Sequence, residues 1–239
     1  MTLFIAHRGD PIQYRENTLP AFISGERLGA DMIELDVQLS RDGKCVIVHD
    51  DTLTRLWNVD AAVSDLTYDQ IRSLTANDAC DIPLLSDVLT AVSLPVMIDV
   101  KYTESIDSIV HTLLDMQAVD RALIVGGNVD AHRRVRHLLP NVSIGLTWDN
   151  PEAPSQSLLD ELDVEYFNPP WWLLMPELGD GTKTLGPDIV DDMHERGLKV
   201  SVWTVDDVSY MHPLVDIGVD AIISNRSGEL LTAYSRGRK

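Results

Sequence analysis

Short β-branched runs recur from one end of this chain to the other, and their spacing limits the fold more than any other feature. They are LFIA (3–6), MIELDV (32–37), CVIVHD (45–50), VMIDV (96–100), ALIVGG (122–127), VSIGLTW (142–148), EYFNPP (165–170), VSVWTV (200–205) and DAIISN (220–225). Segments with helical spacing separate most of them, and such alternation of strand and helix means a parallel sheet. The 239 residues suffice to close that sheet into one α/β barrel, which usually takes about 250. An α/β fold of the (β/α)8 TIM-barrel type, spanning residues 1–239 as a single domain, is therefore expected, and no linker, internal repeat or low-complexity tract interrupts it.

Nine strand candidates compete for eight barrel places. MIELDVQLS and CVIVHD are joined through RDG (41–43), a short connection between the second and third strands with no room for a helix. Its Asp42-Gly43 pair favours a tight turn, and a two-residue hairpin there would set Asp36 opposite His49. A parallel return without a helix would still leave both residues near one sheet edge. DAIISN is the extra strand in one closure and a barrel strand in the other. Among the helices, Asn17 or Thr18 is expected to cap LPAFISGERL, with Pro20 in its first turn and Gly29 after its end. VDAHRRVRHLL runs between Asn128 and Pro140, and PDIVDDMHER stops at Gly197. The stretch from Asp51 to Pro83 reads as an elaborated loop.

The strand ends carry the reactive side chains: His7 and Arg8, Glu34 and Asp36, His49 and Asp50, Asp99 and Lys101, with Trp203 in VSVWTV. Catalytic groups of parallel barrels gather at these C-terminal ends. Residues two apart on a strand share a face, so Glu34 and Asp36 oppose Ile33, Leu35 and Val37, and Asp99 with Lys101 opposes Ile98 and Val100. Three carboxylates then converge. Like charges within about 6 Å resist joint ionisation unless a pKa rises or a cation neutralises them, and the reading here favours a cation. All-oxygen ligation, with no convergent cysteine and no HxH pair, suits a divalent Mg²⁺ or Ca²⁺ better than zinc.

Such a site binds an anion. Arg8 offers a bidentate fork for phosphate and Lys101 a point charge, while His7 and His49 can divide the proton transfers. Glu16 and Asn17 would hold these groups or complete the ligand set. The combination describes cleavage of a small phosphodiester. His111, His132, His137, His194 and His212 lie on helical or loop segments and read as surface or structural, and WWLLMP (171–176) reads chiefly as packing, with a lid or an oligomer contact as alternatives.

The 19 basic and 38 acidic residues give a net charge of −19, which argues against nucleic acid and anionic membranes as partners. The start, MTLFIAHRGD, lacks a signal peptide's apolar core, and no apolar run approaches the roughly 20 residues of a membrane span. Two cysteines, Cys45 and Cys80, are few for a disulfide scaffold. A soluble cytoplasmic protein with reduced thiols is expected, its oligomeric state open.

HRG, ENTLPAF, GADMIELDVQLSRDG, VIVHDDTLTR, IPLLSDVL, the IDVK strand, SVWTV and GVDAIISN together resemble the glycerophosphodiester phosphodiesterase family, over nearly the whole chain and most densely from residue 5 to 55. The resemblance implies an eight-stranded barrel that hydrolyses glycerophosphodiesters to sn-glycerol 3-phosphate and an alcohol. It implies His7 and His49 as the acid/base pair, and Glu34, Asp36 and position 99 as holders of a divalent cation. It further implies phosphate contacts from Arg8 and Lys101, and Trp203 beside the glycerol. The chain departs from the family pattern at Asp99, where Glu is usual, at Arg15, where Pro is usual, and at Leu56-Trp57-Asn58, which replaces a small Thr/Gly-rich run. A lysophospholipid or phosphoinositide diesterase on the same site, or a catalytically silent binding barrel, remain the alternatives.

Overall fold

The computed structural model describes residues 1–76, 80–175 and 184–237. Its strands are β1 (Leu3–Ala6), β2 (Met32–Leu39), β3 (Cys45–Ile47), β4 (Val96–Val100), β5 (Ala122–Gly126), β6 (Ser143–Thr147), β7 (Tyr166–Asn168), β8 (Lys199–Val202) and β9 (Ala221–Ser224). Eight of them run parallel in the order β1-β9-β8-β7-β6-β5-β4-β2, and β1 pairs back onto β2, so the sheet closes into a barrel. The connections carry α1 (Leu19–Arg27), α2 (Thr54–Trp57), α3 (Tyr68–Thr75), α4 (Leu85–Ala91), α5 (Ile106–Asp115), α6 (Val129–Leu138), α7 (Gln156–Leu162), α8 (Ile189–Glu195) and α9 (Val208–Asp216), and α10 (Ser227–Gly237) follows the last strand. The (β/α)8 architecture expected from the strand spacing is the one observed.

Strand parity divides the core as the sequence pattern requires. Ile33, Leu35, Val37, Ile98 and Val100 face the helices in the larger cluster, against residues such as Val88, Ile109 and Val135. Ile5, Met97, Leu123, Val125, Tyr166, Ala221 and Ile223 fill the lumen. These apolar side chains pack the lumen, and the reactive side chains lie at its C-terminal mouth.

The surplus strand is β3, and DAIISN belongs to the barrel. β2 outruns its neighbour β1, and its last residues, Val37, Gln38 and Leu39, pair antiparallel with Ile47, Val46 and Cys45. The two-residue hairpin is not the one formed. Ser40 and Lys44 are still paired through the backbone at 3.0 Å, leaving a three-residue loop with Gly43 in the left-handed region at φ 76°. The extra residue moves the register by one, so Asp36 lies across from Val48, whose N–H donates to the Asp36 carbonyl at 3.1 Å. The segment read as an elaborated loop holds α2 and α3 and a small core of its own, made by Val46, Val48, Leu53, Val63, Ile71 and Ile82.

Other local expectations are refined. Thr18 is the cap residue of α1, but its hydroxyl donates to the Arg15 carbonyl at 2.7 Å, and neither Thr18 nor Asn17 caps the helix through its side chain. EYFNPP yields only three strand residues, because Pro169 and Pro170 have no N–H for the ladder. His132 is structural, buried with Nε2 2.8 Å from the Gly126 carbonyl. His194 and His111 have acidic partners that no pattern announced, Asp220 at 2.8 Å and Asp115 at 3.3 Å. Trp171 stacks on Tyr210, which supports packing for that stretch; Pro176 lies outside the described residues. Cys45 and Cys80 are both free.

The turn after β1 is set by Gly9. Its φ is 85°, and a Cβ there would come within 2.5 Å of the Ala21 backbone, so the HRG turn lies directly on α1. That contact aims His7 and Arg8 at the barrel mouth. Gly9→Ala should destabilise the protein by about 3 kcal/mol through left-handed strain and overpacking, read as a lower urea midpoint at unchanged m-value. A shift under about 0.5 kcal/mol would contradict this account of the turn.

Candidate active site

Asp36 and Asp99 are direct register partners on β2 and β4, and Glu34 lies two residues earlier on the same face. One oxygen from each of the three lies within 4.8 Å of the others, and among the described residues this is the cluster with metal-ligand spacing. Glu34 and Asp36 are buried to 4% and 3% exposure. Burial, reinforced by the Asp36 charge, pushes the Glu34 carboxyl well above its ordinary range and the Asp99 carboxyl up to about 7. The shorter Asp99 side chain still brings its oxygen into the cluster.

Arg8 compensates part of this charge. Its guanidinium pairs with Glu16 Oε1 at 2.9 Å, and its Nε lies 3.1 Å from Asp36 Oδ2 without hydrogen-bond alignment. The backbone N–H of Arg8 donates to Glu34 Oε2 at 2.9 Å. Burial opposes the arginine charge, yet Asp36, Glu34 and Glu16 together hold its pKa above the usual value. Asn17 Nδ2 donates to Asp36 Oδ2 at 2.8 Å. Arg8 and Asn17 both adopt left-handed backbone conformations, at φ 56° and 57°, and Asn17 N–H donates to the Arg8 carbonyl across the turn at 3.1 Å. For arginine this conformation costs on the order of 1–2 kcal/mol, which the surrounding hydrogen bonds offset.

The two histidines have different settings. His7 Nδ1 meets Asn225 Oδ1 at 2.8 Å while Nε2 lies 3.9 Å from Glu34 Oε2. Burial, with the Arg8 charge, lowers the His7 pKa. His49 Nδ1 meets the Asp50 carboxylate at 2.7 Å. Arg55 grips both Asp50 and Glu16, with contacts of 2.6 Å and 2.7 Å, and its hydrogen bonds, with His49, hold Asp50 down to about 2. The backbone carbonyl of His49 accepts from Lys101 Nζ at 2.6 Å and from Gln38 Nε2 at 3.2 Å.

A cavity of about 230 Å³ at the barrel mouth is lined by His7, Arg8, Glu34, His49, Asp99 and Trp203, with Thr147 and Asn168 on the far wall. The fold therefore brings together both histidines, the arginine, two of the three carboxylates and the tryptophan. Asp36 stands behind this surface, bound to Arg8 and Asn17, and Lys101 turns to the His49 carbonyl. A larger cavity of about 590 Å³, between residues 10–14 and α10, includes neither histidine and none of the three carboxylates. Trp203 is fixed by its indole N–H, which donates to the Asn168 carbonyl at 2.9 Å, and Trp172 packs edge-on against it.

Several participants were not singled out as site residues from sequence. Arg55 is the last letter of VIVHDDTLTR and Asn225 the last of DAIISN, so both sit in motifs already conspicuous, but Arg55 meets Glu16 and Asn225 meets His7 on the distant segment after β1. Thr147 and Asn168 end β6 and β7, where position at a strand terminus was the available signal. The departures at Arg15 and Trp57 meet each other: the Arg15 guanidinium lies 5.3 Å from the centre of the Trp57 ring.

Comparison with known proteins identifies the fold and the family. A model of the glycerophosphoryl diester phosphodiesterase family matches residues 7–229. A glycerophosphodiester phosphodiesterase of Caldanaerobacter subterraneus is 30% identical over 251 residues, covering 99% of each chain. The structure of a phosphodiesterase from Oleispira antarctica, solved in complex with the product sn-glycerol-3-phosphate, superposes with a TM-score of 0.85 at 25% identity over 98% of this chain and 97% of that one. A glycerophosphodiester phosphodiesterase structure from Thermotoga maritima gives 0.83 at 22% identity, covering 98% of both. The chain belongs to the glycerophosphoryl diester phosphodiesterase family.

Proposed function

We propose that this chain, acting as a single domain over residues 1–239, hydrolyses small glycerophosphodiesters to sn-glycerol 3-phosphate and an alcohol. The observation that carries the reading is one cavity in which buried carboxylates, two imidazoles and an arginine converge. Arg8, which lines it, brings a guanidinium charge that the ion pairs with Glu16 and Asp36 hold in place. The acidic cluster fits a hard divalent cation, Mg²⁺ or Ca²⁺: the donors are all oxygens, crowded within 4.8 Å, and two of them bear raised pKa values that a cation would reverse. Glu34, Asp36 and Asp99 would hold it, and when bound it supplies Lewis-acid stabilisation of phosphoryl charge.

Arg8 anchors a phosphate oxygen, and Lys101 adds positive charge while fixing the His49 backbone. His7 and His49 move protons at their Nε2 atoms, one taking a proton from the attacking oxygen and the other giving one to the leaving alcohol. Asp50 holds the His49 ring in place, and Arg55 and Glu16 tie that carboxylate to Arg8. Trp203 offers its ring face to the glycerol. The two free cysteines fit a reducing compartment such as the cytoplasm. Among the described residues no helix is long and apolar enough to cross a membrane.

Glycerophosphocholine should release glycerol 3-phosphate, and a chelator should abolish the release, with Mg²⁺ or Ca²⁺ restoring it. Turnover indifferent to chelator would remove the cation from the reading; headgroup release only from lysolipid would move the substrate, and no turnover on any diester would indicate a silent barrel. His7→Ala and His49→Ala should each lower kcat by about 100-fold or more with an unchanged circular-dichroism spectrum. Near-normal turnover in either variant would refute that histidine's role.

A pH effect follows from the raised carboxyls. An unfolded aspartate titrates near about 3.9, whereas Asp99 in the cation-free fold titrates at about 7. Between these values the folded state keeps a proton that the unfolded chain has lost, so this group's contribution to stability falls as pH rises from about 4 to about 7. Glu34 acts in the same direction. Stabilisation by added Mg²⁺ or Ca²⁺, measured as a Tm shift, should therefore be larger at about pH 7.5 than at about pH 5, and Asp99→Asn should flatten the difference. Equal shifts at both pH values would count against the cluster as the cation site.

A further inference from the structure

The ring of His7 is held from behind by residues of the last two barrel strands and their loops. Asn225 follows β9, and its side-chain oxygen meets His7 Nδ1 at 2.8 Å. Asp206 sits in the connection from β8 to α9. One Asp206 oxygen accepts from the Asn225 side-chain amide at 2.7 Å, and the other accepts from the Asn225 backbone N–H at 2.8 Å and the Ser224 hydroxyl at 3.1 Å. The Val205 N–H donates to the Ile223 carbonyl at 2.9 Å and keeps the two segments in register.

The chemistry of these groups permits one orientation. A carboxylate only accepts, so the Asn225 NH₂ must face Asp206; reversing the amide would set two acceptor oxygens against each other. The Asn225 oxygen then faces His7 and also only accepts, so Nδ1 must carry the proton. In the neutral ring Nε2 is consequently bare. It is the nitrogen nearer the carboxylate cluster, in the cavity that His7 lines.

We propose that Asp206 and Asn225 are positioning residues that set the tautomer of His7, through a relay from Asp206 to Asn225 to Nδ1–H. This rests on His7 being one of the two proton-transfer groups described above. The contrast with His49 supports it. His49 is oriented directly by a carboxylate, whereas His7 meets a neutral amide that is itself oriented by one. The relay thus selects a tautomer without placing a negative charge against the His7 ring.

The test pairs kinetics with ¹⁵N NMR of the histidine side chains, at about pH 8, above the ordinary histidine pKa of about 6.5. In the unaltered protein His7 should show a protonated Nδ1 and a bare Nε2. Asp206→Asn frees the Asn225 amide to turn, so the His7 signals should shift toward a mixture of tautomers and kcat should fall roughly 10- to 100-fold with little change in KM. The double variant Asp206→Asn with Asn225→Asp exchanges amide and carboxylate. The amide at position 206 then donates to the carboxylate at position 225, which in turn accepts from Nδ1–H. This variant should restore the single Nδ1–H tautomer and recover kcat at least about 10-fold over Asp206→Asn.

Should Asp206→Asn fold poorly, Asn225→Leu removes the acceptor and leaves Asp206 its bonds to Ser224 and to the residue-225 N–H; the same loss of tautomer preference is expected. An unchanged His7 tautomer in Asp206→Asn and in Asn225→Leu overturns the proposal, as does a double variant that recovers neither signal nor rate. Because the NMR signature is read without turnover, an inactive parent protein would refute the hydrolase reading and leave the relay to be judged on its own readout.

Discussion

Mutual repulsion of three crowded carboxylates, two of them buried, is the constraint around which the barrel mouth is organised. Two unit charges about 5 Å apart repel by roughly 3 kcal/mol at an effective dielectric of about 20, and Glu34, Asp36 and Asp99 form three such pairs. The protein answers with partial measures: the Arg8 guanidinium beside Asp36, the Arg8 N–H on Glu34 and the Asn17 amide on Asp36. These leave Glu34 and Asp99 with raised pKa values, so compensation by protein groups alone is incomplete. A divalent cation among the three oxygens would complete it in electrostatic terms.

From that cluster a chain of alternating charge runs outward to solvent. Asp36 faces Arg8, Arg8 faces Glu16, Glu16 faces Arg55, and Arg55 faces Asp50, which holds His49. The outer pairs, made by the exposed Arg55, contribute little to stability individually. Their importance here is geometric, since the chain joins the HRG turn to the segment after β3 and so fixes the separation of the two imidazoles. The left-handed backbone at Arg8 and Asn17 belongs to the same device, strain held in place by the bonds that aim the side chains.

Outside this frame lie two of the chain's departures from the family pattern. Arg15 and Trp57, read separately as departures, face each other as a cation over an aromatic ring. Trp172 packs edge-on against Trp203, which lines the cavity. None of Arg15, Trp57 and Trp172 lines the cavity at the barrel mouth or joins the carboxylate cluster.

Much was legible in the order of residues. Eight strands of a parallel barrel, the face shared by Glu34 and Asp36, and the outward set Ile33, Leu35 and Val37 follow from periodicity, because a strand's alternation is a local property. The gathering of His7, Arg8, Glu34, His49 and Asp99 at strand ends follows from the fold class together with the motifs. What the linear order left undetermined was decided by contacts between distant segments. A three-residue hairpin in place of a two-residue one moved the partner of Asp36 from His49 to Val48. Closure of β9 onto β1 brought Asn225 to His7 across 218 positions, and packing of the inserted segment brought Arg55 to Glu16. Local pattern states which face a residue occupies; only closure of the barrel, which adds the directional demands of hydrogen bonds between remote strands, states which groups it meets there.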